Sequence, residues 1–172
     1  MSSGYSNAYV RQIGEYLACA ELARQRLFAT SFTGNVPEYD LLVCNDKMNS
    51  VAVQVKACTT DSWPSTATDW MEIEIDEKKR RQKYLHKRKI SNKDLIYILV
   101  AVGKRYGEDR FLICRKSDVQ EACILSYKRY MDPKKWVRPR NYKSLDNRYH
   151  LADLAHFENN WALIHDSLNK KV

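Results

Sequence analysis

Four residues have types and spacing that invite chemistry: Glu15, Asp40, Gln54 and Lys56. Asp40 ends the run Pro37-Glu38-Tyr39-Asp40 and opens the apolar stretch Leu41-Leu42-Val43-Cys44. Fourteen residues later, Gln54-Val55-Lys56 interrupts a second apolar stretch between Val51 and Ala57. A carboxylate, a neutral amide and an ammonium thus stand where strand propensity alone would place more apolar side chains. Glu15 adds a second carboxylate upstream.

The elements that must position these groups follow from pattern. The polar cluster Asn45 to Ser50 reads as the loop of an antiparallel hairpin. Side chains alternate with period two, so Gln54 and Lys56 share one face of the second strand, and Asp40, Leu42 and Cys44 share one face of the first. A register that sets Asp40 against Gln54 or Lys56 puts all three polar groups on one face, with a bulge tolerated in either strand. Val10 to Thr30 reads as a helix with Ile13, Tyr16, Leu17, Ala20, Ala23 and Leu27 as its apolar stripe. Glu15 has Ala18, Cys19 and Leu22 at helical spacing on one flank, so its carboxylate should enter a cleft or meet a cation. Taken singly, Asp40 would be a strand-start residue, Gln54 and Lys56 the wet face of an edge strand, and Glu15 a partner of Arg11.

In this order, the residues resemble the PD-(D/E)XK nuclease superfamily, of restriction endonuclease-like and Holliday-junction resolvase-like proteins. The resemblance covers roughly the first third of the chain and departs twice from the pattern: Tyr39 precedes the aspartate, with Pro37 displaced upstream, and Gln54 stands for the usual acidic residue. It implies an α/β fold, a restriction endonuclease-like mixed β-sheet flanked by helices. It also implies a metal-dependent DNA endonuclease, a hydrolase of phosphodiester bonds. Glu15, Asp40, Gln54 and Lys56 would be its catalytic residues, and Glu15, Asp40 and Gln54 the ligands of Mg²⁺, with Mn²⁺ as an alternative.

The chemistry accounts for those types. Phosphodiester hydrolysis needs charge neutralised at phosphorus, hydroxide made at neutral pH and an alkoxide helped to leave, and a divalent ion assists each. Mg²⁺ prefers octahedral oxygen coordination, which carboxylates and a backbone carbonyl near Val55 can supply. Gln54 offers an oxygen without charge, which makes Glu15 the nearest source of a second negative charge, with Glu38 a weaker substitute. Lys56 would orient water or steady the scissile phosphate.

Composition agrees with one domain spanning residues 1–172: 44% hydrophobic residues, no linker and no repeat. Met1 to Ala8 is polar and lacks a signal-peptide pattern, and no stretch approaches a membrane span. Five cysteines, Cys19, Cys44, Cys58, Cys114 and Cys123, lack paired metal-ligand spacing and read as reduced thiols of a cytoplasmic protein. The four histidines form no nuclease motif.

Charge points to a polyanionic partner. Twenty-nine Lys and Arg against 21 Asp and Glu give a net charge of +8. One basic block includes Lys79, Arg80, Arg81 and Lys83, in a segment expected to be a helix opened by Asp76-Glu77-Lys78 and running towards Lys89. The other includes Lys134, Lys135, Trp136, Arg138, Arg140 and Lys143, expected as a loop. Both suit a phosphate backbone, with DNA, double-stranded or branched, as the expected partner and a homodimer or higher homo-oligomer as the expected assembly. Trp63-Pro64-Ser65-Thr66 is expected as a substrate-facing loop or a plain connection packed by tryptophan. Trp70 to Ile75, Leu95 to Val102 and Arg110 to Cys114 read as strands, the second central in the sheet. A helix capped at Ser117-Asp118 and a terminal helix between Phe157 and Leu168 complete the chain. The alternative functions are a non-catalytic nucleic-acid-binding module or nuclease-complex subunit that keeps the fold, and a nuclease acting on RNA.

Overall fold

The first helix reaches its partner strand through its smallest residues. The computed structural model describes residues 4–32 and 37–170, with the backbone alone at residues 4 and 5, so the start of the polar Met1 to Ala8 stretch lies outside the described residues. Helix α1 is Gly4–Arg24. Gly14, Ala18 and Leu22 form its buried face, while Ile13 and Tyr16 are 43% and 65% exposed and Ala20 and Ala23 face solvent. A Cβ added at Gly14 would lie 2.3 Å from the Cβ of Ala57, so helix backbone rests almost directly on the sheet. Close approach selects residues without bulk and turns the large ones outward. The expected stripe of Ile13, Tyr16, Ala20 and Ala23 is corrected accordingly.

The helix also ends earlier than Thr30. Arg26 adopts a left-handed φ of 61°, its N–H donates to the Ala23 carbonyl at 2.9 Å, and the Leu27 N–H donates to the Leu22 carbonyl at 3.0 Å. This is a Schellman ending, with buried Leu22 and Leu27 as its hydrophobic contact. The chain then continues as strand β1 (Phe28–Ser31).

Strands β2 (Leu41–Cys44) and β3 (Ser50–Cys58) form the expected antiparallel hairpin, with Leu41 opposite Val53. Three strands leave the main sheet: β4 (Ser62–Thr66), β5 (Met71–Asp76) and β6 (Arg81–Lys87). The chain returns to it as β7 (Ile96–Ala101) and β8 (Arg110–Arg115). The five-stranded order is β1-β2-β3-β7-β8, with β3 and β7 parallel and the other neighbours antiparallel. All six residues of β7 are buried, as a continuous apolar run between two layers requires.

Helices cover both faces. On one, α1 joins Val53, Val55, Ile98 and Ile113 in a core closed by Trp161, Ile164 and Leu168 around the terminal helix. On the other, α2 (Lys116–Met131) packs Val119, Cys123 and Tyr127 against Tyr97, Leu99 and Cys114. The α2 start is held by Asp118, whose carboxylate accepts the Arg115 N–H at 2.7 Å, so the cap works back from inside the helix rather than from Ser117. Strand β9 (Asp146–His150) pairs with β4, so Trp63-Pro64-Ser65-Thr66 is strand and not loop. Short α3 (Leu151–Leu154) leads to the terminal helix α4 (Ala162–Asn169). The five cysteines are all free thiols, and among the described residues no helix is long and apolar enough to cross a membrane.

The expected basic helix after Asp76 is a β-hairpin instead. β5 and β6 pair antiparallel from Met71 opposite Lys87 to Asp76 opposite Arg81. Asp76 accepts the Lys79 N–H at 2.9 Å, and Arg80 turns the chain at φ 49°. Helix propensity in this lysine-rich stretch yields to tertiary packing. Two alternate residues of β6 are drawn inward: Gln82 is fully buried, donating to the carbonyls of Tyr142 and Ser144 at 2.6 and 2.9 Å, and Tyr84 packs on the core.

Substituting Gly14→Ala forces α1 off β3 and costs about 1–3 kcal/mol. A thermal melt should show the loss as roughly 2–4 °C per kcal/mol in Tm. An unchanged Tm would mean that α1 does not rest on Ala57.

Candidate active site

Asp40 stands where the β2 ladder gives out. Its N–H donates to the Val53 carbonyl at 2.9 Å, and its carboxylate then takes the place of the next backbone acceptor, with Oδ2 accepting the Val55 N–H at 2.7 Å. The same Oδ2 accepts the side-chain amide of Gln54. One carboxylate oxygen therefore satisfies a strand amide and fixes the neighbouring glutamine. The register places Asp40 beside Gln54, and Gln54 and Lys56 lie on one face of β3, opposite Tyr97 and Leu99 of β7. Gln54 is buried and Lys56 is exposed.

Glu15 comes from the helix on the other face of the sheet. It is half-buried, with the Arg11 Nε 4.0 Å away. Burial pushes its carboxyl up from the ordinary value, the charge of Asp40 pushes it further, and Arg11 draws it back. Two carboxylates that repel one another in a half-buried setting are a natural seat for a cation. Oxygen is the donor atom throughout: Glu15 and Asp40 carboxylates and the Gln54 amide carbonyl. That set fits a hard divalent ion. Among the described residues, His, Cys, Asp and Glu alone do not form a metal-holding group of three or more.

Gln54 and Lys56 open onto a cleft of about 710 Å³ whose walls include Glu38, Trp63, Trp70, Tyr97 and Lys116. Several of these carry functional groups that pattern alone did not single out. Tyr97 is a phenol inside an otherwise aliphatic strand, and burial holds it protonated, with its pKa pushed up to about 12. Trp70 has a buried indole N–H with no partner among the described residues, an unused donor in the cleft wall. Trp63 instead donates its indole N–H to the Lys56 carbonyl at 3.1 Å and stacks on Tyr149, with centroids 5.6 Å apart. It braces the backbone of the lysine.

Glu38 is tied into the same region. At a left-handed φ of 73°, its carboxylate accepts Ser91 Oγ at 3.1 Å, Asn92 Nδ2 at 2.6 Å and Lys116 Nζ at 3.2 Å. The bonds from Asn92 and Lys116 hold its acid below the usual carboxylate range. Glu38 thus anchors the turn before Asp40 to the segment preceding β7 and to the start of α2, and its oxygens are already engaged.

The two basic blocks meet. Lys79 and Arg80 lie in the β5–β6 turn, and Arg81 and Lys83 on exposed positions of β6. Lys134 and Lys135 follow α2, and Trp136, Arg138, Arg140 and Lys143 lie in the segment before β9. Much of this second block is occupied internally. Lys134 sits 3.7 Å over the Tyr130 ring, Trp136 lies against Tyr84 and Tyr127, and Arg138 donates to the Ser144 carbonyl at 2.8 Å. Lys143 pairs with Glu77 at 2.5 Å, and Arg80 lies 5.2 Å over Tyr142. The second block buttresses the hairpin that carries the first.

The architecture is a mixed α/β fold: a five-stranded mixed sheet flanked by helices, with Asp40 just before its second strand and Gln54 and Lys56 on its third. Among solved structures, the chain is similar to the bacterial homing endonuclease I-Ssp6803I, with a TM-score of 0.54 and 11% identity over 97% of this chain and 99% of that chain. At that identity the likeness is one of fold. No protein-family model and no curated protein matches the sequence.

Gln54→Glu should make stability depend on metal. The substitution removes the amide donor to Asp40 and sets a third carboxylate beside it, costing about 1–3 kcal/mol without metal at neutral pH. Added Mg²⁺ should restore Tm in the variant and shift wild type less. A variant Tm indifferent to Mg²⁺ would count against cation binding at these residues.

Proposed function

We propose that the chain is a divalent-metal-dependent DNA endonuclease of the PD-(D/E)XK kind. The observation that carries this reading is Gln54 and Lys56 on one face of β3 at a cleft, with Asp40, just before β2, bonded to Gln54 and Glu15 near enough to feel the charge of Asp40. Glu15, Asp40 and the Gln54 oxygen would hold Mg²⁺ or Mn²⁺. The bound ion would supply a hydroxide at neutral pH and neutralise charge at the scissile phosphate.

The protein groups divide the remaining work. Lys56 sits on the cleft side of β3 with its backbone carbonyl held by Trp63, and its ammonium would orient water or hold a phosphate oxygen. Asp40 cannot drift, because β3 grips its Oδ2 twice. Tyr97 and Trp70 bring neutral donors, and Lys116 a positive charge, to the same cleft. The net charge of +8 suits a polyanion, and two copies would be needed to cut both strands of a duplex with one site each.

A second reading has its own observation. Gln54 supplies no charge, and the acidic groups alone do not form a metal-holding cluster among the described residues, which favours a DNA-binding module that keeps the fold.

Supercoiled DNA incubated with Mg²⁺, Mn²⁺ or EDTA separates the two. Wild type should nick or linearise the DNA only with metal, and Asp40→Ala and Lys56→Ala should each lose at least about 100-fold in rate. Binding without cleavage, unaltered by either substitution, would establish the second reading instead. Cleavage of RNA in preference to DNA would reassign the substrate.

A further inference from the structure

The β5–β6 hairpin has a second face that is occupied only at its ends, where Asp76 accepts the Lys79 N–H and Glu72 pairs with Arg88. Ile73, Gln82 and Tyr84 point inward. The opposite face presents Glu72, Glu74 and Asp76 on one strand against His86, Lys83 and Arg81 on the other, with a bulge at Glu72/Ile73. Glu74 and Lys83 are directly opposed and exposed, yet neither they nor Arg81 form a side-chain hydrogen bond or ion pair among the described residues. An acidic strand beside a basic strand is a poor surface for phosphate alone. It is an array of alternating acceptors and donors.

The ribbon is rooted at the cleft. Trp70, which precedes β5, and Arg88, Lys89, Ile90 and Ser91, which follow β6, all line it. The far end is held stiff by Lys143 on Glu77, Arg80 on Tyr142 and the buried Gln82 amide. A two-stranded ribbon fits the major groove, where carboxylates accept from cytosine N4 and Lys or Arg donate to guanine O6 and N7. Six residues of strand extend about 20 Å, or roughly six base pairs.

We propose that the outward face of the β5–β6 ribbon enters the major groove beside the cleavage point and reads base sequence, with Glu74 and Lys83 as its central specificity-determining pair. The proposal rests on the duplex-DNA reading above and adds to it a place and a chemistry for selectivity. Glu74 makes it testable, because a carboxylate has opposite effects in the two positions open to it. Lying along a phosphate backbone, it repels every sequence equally. Reading a cytosine, it favours one sequence and is silent on others.

The test is selection of bound duplexes from a randomised library by the full chain carrying Lys56→Ala, which spares the DNA, followed by affinity measurements for Glu74→Gln in that background. Selection should return a preferred segment of about five or six base pairs. Glu74→Gln should lower affinity for that segment roughly tenfold or more, relaxing preference at one position, without weakening binding to unselected duplex. Methylation of guanine N7 within the segment, which places a methyl group in the major groove, should block binding of the Lys56→Ala chain itself. Uniformly tighter binding of Glu74→Gln to all duplexes, the absence of any selected motif, or indifference to N7 methylation would each overturn the ribbon proposal. Metal-dependent cleavage by wild type would then leave the endonuclease reading standing. Failure to bind duplex DNA at all would overturn both.

Discussion

The contact between Gly14 and Ala57 is the constraint from which the candidate site takes its shape. Two backbones meet there with one methyl group between them, and this brings α1 low enough over β3 for Glu15 to share an electrostatic environment with Asp40. The strand is then committed on both sides. Val53 and Val55 are sealed under the helix, and Gln54 and Lys56 are left for the cleft. Parallel pairing with the fully buried β7 fixes the strand laterally. A polar group on such a strand has few places to go, which is how a soft amide and a flexible ammonium become positioned groups.

The sheet and the polar pair were legible for a physical reason: in β3, polar groups at alternate positions mark the face turned to the cleft, and the continuous apolar run of β7 marks a strand covered on both faces. Asp40 against Gln54 needs, besides that alternation, a loop of five residues from Asn45 to Asn49, with Cys44 opposite Ser50; the expected loop running on to Ser50 would set Asp40 against Val55. The helix stripe was not legible, since side-chain size is a proxy for burial and fails where closeness of approach is what matters. Arg26 hid the end of α1 in the same way, by adopting the left-handed turn usually given to glycine. The segment after Asp76 carries strong helix formers, and only the partners of Gln82 and Tyr84, more than forty residues downstream, make it a ribbon.

Those partners also change the meaning of positive charge in this chain. Lys128 lies 3.9 Å over Tyr84, and Lys134 and Arg138 lie over Tyr130. Cations that sequence alone assigns to a polyanion are partly spent on aromatic faces. The net charge of +8 therefore overstates the number of cations left free to meet a polyanion.

Gln54 carries a consequence of its own. With its nitrogen turned to Asp40, its oxygen faces away, and the amide holds the carboxylate by a hydrogen bond without cancelling its charge. On the proposed reading, an ion shared by Asp40 and Gln54 would need the amide turned over, which would make the residue a latch with two settings: donor to the carboxylate without the ion, oxygen ligand with it. A glutamate in that position would have no resting setting, only a repulsion waiting for a cation. On that reading, glutamine would exchange electrostatic grip for a structure that is stable without the ion.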